Sequence, residues 1–145
     1  MPIIRPATPA DYPQWLALRL ALWDDNTEAE MLAEMHALLT DPEQAVFLAE
    51  ENGALIGFAE VSLRKYADGC DSSPVGYLEG WYVAPEHRRS GIGGALVRAG
   101  EDWARERGCR EMASDTWLEN EISILAHLQL GYIEAERLVH FTKYL

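Results

Sequence analysis

Arg88-Arg89-Ser90-Gly91-Ile92-Gly93-Gly94-Ala95 lies between an apolar run, Val75 to Val83, and a segment in which Ile92, Ala95, Leu96, Ala99 and Trp103 fall on one helical face. The spacing predicts a strand, a glycine-rich turn and a helix over Gly91 to Arg107, stopped at Gly108. Glycines in such a turn let backbone N–H groups come close to an anion. The helix start adds unpaired donors and the positive end of its dipole. Together they make a cradle for a pyrophosphate, and Arg88 and Arg89 bring positive charge to it. No Gly-Lys-Ser/Thr ending is present, which excludes a Walker loop. A dinucleotide fingerprint counted from Gly91 needs glycine at position 96, which is Leu96. From these residues alone, an ordinary flexible turn before a helix stays open beside the cradle.

The flanking pattern supplies the rest of the layout. Ile3-Ile4-Arg5 reads as a first strand. Thr8-Pro9-Ala10-Asp11 opens a helix carrying Trp15, Leu18 and Leu22 on one face. A second helix starts at Thr27, where Thr27 and Glu30 make a capping box. It buries Met31, Met35 and Leu38 and stops at Asp41-Pro42. Strands over Ala45 to Glu50 and Ala54 to Leu63 flank Asn52-Gly53, a hairpin signal. Tyr66 to Pro74 is a polar loop. A strand over Val75 to Val83 is followed, beyond the turn and helix, by a short strand over Glu111 to Asp115. A helix over Glu119 to Leu130 and a terminal β segment over Tyr132 to Tyr144 complete the order. The expectation is one α/β domain over residues 1–145, with a mixed sheet and helices on both faces.

With 145 residues, 48% of them apolar, the chain is large enough for one core. No run reaches the ~18–20 apolar residues of a membrane span, and the N-terminus does not read as a signal peptide. Cys70 and Cys109 are too few for a disulfide framework or a zinc site, so a reducing cytoplasm is expected. The histidines show no metal-ligand spacing. The net charge of −12 disfavours nucleic acid and favours a cationic partner.

Arg88-x-x-Gly91-x-Gly93, following Leu78-Glu79-Gly80-Trp81-Tyr82-Val83-Ala84-Pro85, resembles the signature of the GNAT acetyltransferases. Asn120 and the helix ending at Gly131-Tyr132 resemble that family's last conserved segment. The likeness covers essentially the whole chain. It implies a mixed, mostly antiparallel central sheet with about four helices on both faces, and acetyl-CoA as cosubstrate. The pyrophosphate would bind the loop formed by Arg88, Arg89, Ser90, Gly91, Ile92, Gly93 and Gly94. The pantetheine arm would pair with the backbone of Trp81, Tyr82 and Val83, and Asn120 would help to hold the cosubstrate.

Further segments resemble the aminoglycoside 6'-N-acetyltransferases: Leu22-Trp23, Tyr66-x-x-Gly69-Cys70-Asp71-Ser72-Ser73-Pro74, Leu78-Glu79-Gly80, Cys109 to Asp115, and Glu134-Ala135-Glu136-Arg137. The resemblance implies that Trp23, Tyr66, Asp71, Ser73, Asp115 and Glu136 surround the antibiotic, and that the protein is a homodimer. A protonated polyamine suits carboxylates drawn from separate elements, and Glu79 interrupts an apolar strand, where a charge is costly unless paired or facing a cleft. An attacking amine must shed a proton, and Glu79 and Asp115 are the candidate acceptors. A covalent route through Cys70 or Cys109 is the alternative mechanism. Where many members of the GNAT family carry a tyrosine that protonates the leaving thiolate, this chain has His127. Alternative activities are acetylation of another polyamine or of a protein amine, and a non-catalytic acyl-CoA-binding module.

Overall fold

Asn52 and Gly53 both adopt positive φ, 53° and 81°. That is the turn geometry a two-residue hairpin favours, and it folds β2 (Gln44–Glu51) back on β3 (Ala54–Arg64). A computed structural model describes residues 2–145. β1 (Ile3–Pro6) joins the outer edge of β2, and β4 (Val75–Val83) pairs antiparallel with β3. β5 (Met112–Ser114) then adds parallel to β4. The result is a five-stranded mixed sheet in sequence order. β5 is shorter than the expected Glu111 to Asp115. The Glu111 carboxylate instead accepts the backbone N–H groups of Asp71 and Ser72, and Asp115 lies beyond the last β4–β5 rung, Leu78 to Ser114.

The helices divide between the two faces, as expected. α1 (Tyr12–Leu22) and α2 (Glu28–Thr40) cover one face, burying Trp15, Met31 and Met35 against Val46, Leu48 and Phe58. The Thr27 hydroxyl accepts the Glu30 N–H at the start of α2, as its cap pattern requires. α3 (Ile92–Glu106) covers the other face, setting Ile92, Leu96, Val97 and Trp103 on Ala59, Val61 and Leu78. α4 (Glu121–Gln129) lies on that side too, since Leu130 and Tyr132 beside its C-terminus pack on the same cluster.

Leu18 and Leu22 are only half-buried; the residue of α1 that is buried with Trp15 is Arg19. Its guanidinium holds Glu60 of β3 at 2.8 and 3.0 Å, and the Trp15 indole N–H donates to the same carboxylate at 3.0 Å. Desolvation pushes the Glu60 carboxyl up, and Arg19 opposes it.

The terminal segment departs from expectation. Tyr132 to Tyr144 forms no strand. A strand exists only by pairing, and this stretch does not run along β5. It passes the β3–β4 loop, where Ala135 sits so close to Gly69 that a Cβ there would lie 2.6 Å from the alanine Cβ. Val139, Phe141 and Tyr144 are left exposed.

Candidate active site

β4 and β5 pair only across Gly76 to Leu78. Beyond that rung they part, and the edge of β4 from Glu79 to Val83 that faced β5 has no strand partner among the described residues. The same point carries a β-bulge. Glu60 pairs with Gly80 and Val61 with Leu78, so Glu79 is the extra residue opposite no partner. A bulge re-aims the side chain it carries. Glu79 therefore projects on the α1/α2 face, where the Ser62 hydroxyl donates to it. Arg64 grips both its oxygens at 2.7 and 2.9 Å. Asp115, the residue after the last rung, accepts a hydrogen bond from the Tyr77 hydroxyl. Burial first, and this bond second, push the Tyr77 phenol well above its ordinary value. The guanidinium carbon of Arg64 lies 3.5 Å from the Tyr77 ring centroid. The two carboxylates singled out in the sequence thus stand on either side of the cleft mouth, linked through Arg64 and Tyr77.

A cavity of about 540 Å³ opens on this face between α1, α2 and the sheet, lined by Trp23, Glu34, Glu60 and Glu79 among others. Trp23 reaches it because residue 80 is glycine: a Cβ there would lie 2.5 Å from the indole Cη2. The ring also packs on Phe58, at a centroid distance of 5.9 Å. Trp23 is therefore both packing and cavity wall.

His127 lies on the opposite face. Its Nδ1 is 2.7 Å from the Ser123 carbonyl, which only accepts, so Nδ1 carries a proton. Nε2 lies 2.8 Å from the Ser114 hydroxyl, which also reaches the Leu78 carbonyl at 3.4 Å. Trp81 and Tyr132 meet the imidazole edge-on at 5.2 and 5.7 Å. Ser114 sits on the last β4–β5 rung, so this pair reaches the apex of the cleft from behind.

The glycine-rich turn is built as expected. Arg89 and Gly91 adopt positive φ, 63° and 84°, and α3 begins at Ile92. Among the described residues no backbone carbonyl takes the N–H groups of Arg89 to Gly94, which leaves them open to an anion. The Trp81 indole N–H donates to the Gly93 carbonyl at 3.1 Å, fixing the turn to β4. Arg88 folds back, donating to the Val83 carbonyl at 2.8 Å. Asn120 caps α4 by accepting the Ser123 N–H at 3.0 Å, which leaves its amide NH2 available.

The remaining substrate-site candidates form a second group. Tyr66 is exposed and donates to Asp68 at 2.8 Å. Asp71 and Ser73 lie in the loop that Glu111 pins, and Glu136 belongs to the terminal segment packed beside that loop. Among the described residues no hydrogen bond or ion pair joins these four to Glu79 or Asp115. Sequence reading missed Ser62, Arg64, Tyr77 and Ser114. The signal was present for two of them: Glu60, Ser62 and Arg64 alternate along β3 and so share one face. Burial pushes up both cysteine thiols, with Glu111 adding to the effect at Cys70. Among the described residues no three His, Cys, Asp or Glu converge as a metal site, and no helix is long and apolar enough to cross a membrane.

The chain belongs to the acetyltransferase (GNAT) family, whose model matches residues 12–132. Its similarity is more particular than that. The chain is 50% identical to aminoglycoside N(6')-acetyltransferase type 1 of Stenotrophomonas maltophilia, over 97% of this chain and 92% of the relative. It is 44% identical to the Klebsiella aerogenes protein of the same name, over 98% and 96%. Among solved structures it matches AAC(6')-Iy in complex with the bisubstrate analog CoA-S-monomethyl-acetylneamine. There the TM-score is 0.96 and the identity 40%, covering 100% of this chain and 99% of that one.

Proposed function

We propose that this protein transfers acetyl from acetyl-CoA to the 6'-amine of aminoglycoside antibiotics by direct attack of the amine on the thioester. Relatives at 40–50% identity carry that activity in their names across nearly the full chain. The observation that carries the reading is the placement of Glu79 and Asp115 at the point where β4 and β5 part. Acetyl-CoA supplies the activated acyl group. The amides of the Arg88 to Gly94 turn would hold its diphosphate, the free edge of Trp81 to Val83 its amide-bearing arm, and Asn120 would assist. Trp23 and Glu79 wall the cavity that faces the antibiotic. An ammonium has no lone pair, so Glu79 or Asp115 takes the proton from the reacting amine. N–H groups near Tyr82 and Val83 serve the developing oxyanion. His127 stands behind β5, on the side where a thiolate would depart, with Ser114 between it and the cleft. The raised cysteine thiols disfavour a covalent acetyl-enzyme.

Tyr66, Asp71, Ser73 and Glu136 are proposed as outer contacts for the antibiotic. The chain acts as one domain, in the cytoplasm and as a homodimer. A terminal segment with Val139, Phe141 and Tyr144 exposed supports a second copy as its cover.

Incubation with acetyl-CoA, a kanamycin-type aminoglycoside and a thiol-detecting reagent tests the activity. Thiol release with the antibiotic is expected. Release with spermidine or a peptide amine, and none with aminoglycosides, overturns the substrate class. Glu79→Gln and Asp115→Asn should each lower turnover at least ~10-fold; wild-type rates in both remove them from the site. Sedimentation at monomer mass refutes the dimer.

A further inference from the structure

The two carboxylates at the cleft mouth present a conflict. An amine bound beside two anions is stabilised as ammonium, which is the form that cannot attack. The structure contains a resident cation at that place. Arg64, at the end of β3, grips both Glu79 oxygens, and its guanidinium carbon lies 3.5 Å from the ring centroid of Tyr77, whose hydroxyl donates to Asp115. The Glu79 hydrogen bonds push Arg64 further above its ordinary value, and Asp115 adds to that, so the group is cationic at every working pH.

We propose that Arg64 is a positioning residue of the transfer site. It fixes the bulged Glu79 in one orientation and offsets one of the two negative charges, so that the bound amine gives up its proton near neutral pH. This rests on the reading of Glu79 and Asp115 as the carboxylates of the site. The groups facing Arg64 and Glu79 are few. Tyr77 and Asp115 share their sheet face. Arg19 of α1, Glu34 of α2 and Glu60 of β3 line the same cavity as Glu79. Arg19 is already committed to Glu60 and Glu34, with Nη2 of its guanidinium 3.1 Å from Glu34. It leaves no charge to replace Arg64. His127 lies behind the sheet.

The consequence separates binding from turnover. Without Arg64 the site is more negative, so a polycation is held at least as well, but its reacting amine is harder to deprotonate. Arg64→Met keeps the aliphatic stem and removes the charge. Its kcat should fall about 10-fold at neutral pH, and the acidic limb of kcat should move up by about one pH unit, since kcat reports groups in the bound complex. The aminoglycoside KM should not rise, and the acetyl-CoA KM should stay unchanged. Arg64→Lys restores charge but not the two-pronged grip. Its limb should return to the wild-type position while kcat recovers in part.

The experiment is kcat and KM against pH for wild type, Arg64→Met, Arg64→Lys, Glu79→Gln and Asp115→Asn, with thermal melting of each. A limb that stays in place in Arg64→Met, or a raised aminoglycoside KM with kcat intact, overturns the inference. If Arg64→Met does not fold, Arg64→Lys decides by the same limb: displacement from wild type refutes the charge role. Full activity in both carboxylate variants sinks the underlying reading instead, whatever Arg64 does.

Discussion

Replacing Arg19 with methionine isolates a charge pair sealed in the α1/α2 core. Arg19 and Glu60 are 3% and 2% exposed, and the carboxylate is held by two arginine contacts and the Trp15 indole. Methionine keeps the stem's volume but leaves Glu60 without a counter-charge. The variant then has two options at pH 7: bury an unpaired carboxylate, which costs several kcal/mol, or protonate it. From the ordinary value of 4.5, protonation at pH 7 costs about 1.36 × 2.5, or about 3.4 kcal/mol. The cheaper option sets the loss, so Arg19→Met should be destabilised by about 3 kcal/mol at pH 7. At pH 5 the same product is only about 0.7 kcal/mol. The sign is that of a carboxyl raised on folding: its contribution is fully present below the unfolded value and is lost as pH rises. Urea unfolding at both pH values reads the difference directly. The double variant Arg19→Met, Glu60→Met should regain most of the loss at pH 7, since a buried pair often exchanges for apolar residues without penalty. A loss in Arg19→Met that is the same at pH 5 and pH 7, or that the second substitution does not relieve, would refute the account.

Three further outcomes follow from named contacts. Asp11 accepts from Arg5 at 2.8 Å through both oxygens and from the Thr8 N–H, holding its carboxyl at about 2. Asp11→Asn should cost about 2 kcal/mol above pH 4. In wild type that contribution should disappear as pH falls through 2, so acid unfolding midpoints of the two proteins should converge. Gly80→Ala drives a Cβ into Trp23; a stability loss of about 1–3 kcal/mol and a shifted tryptophan emission are expected, and an unchanged melt counts against the close approach. His127→Ala removes the imidazole partner of the Ser114 hydroxyl; kcat should drop about 10-fold with the aminoglycoside KM unaltered, and wild-type turnover would make His127 a packing residue.

The elements whose signals are local were legible in the sequence. Asn52-Gly53 specified its hairpin through backbone conformation alone, and Thr27 with Glu30 specified the start of α2. Glu79 was conspicuous because a charge interrupts an apolar strand. Arg64 shares a face with Glu60 and Ser62 by alternation along β3, but its role depends on a register that brings Ser62 opposite Tyr77. Arg19 and Glu60 escaped for a related reason. Each lies inside an apolar run as a lone charge, and only the packing of α1 on β3 pairs them. The terminal segment has the composition of a strand, yet strand formation requires an edge, and Ala135 seats the chain on the β3–β4 loop instead.

The bulge at Glu79 ties fold to chemistry. Residues alternate faces along a regular strand, so positions an odd number apart point oppositely. Here Leu78 and Trp81, three apart, both pack on the α3 side. Tyr77 and Gly80, also three apart, both face the α1/α2 side, one under Arg64 and the other under Trp23. Only an inserted residue reconciles these placements, and Glu79 is that residue. In an unbulged β4, either Tyr77 would leave Arg64 and Asp115, or Trp81 would leave Gly93 and His127. The extra residue therefore lets one strand present Glu79, and the Tyr77 that holds Asp115, on one face and the anchor of the glycine-rich turn on the other. It also sets Glu79 and His127 on opposite sides of the same sheet.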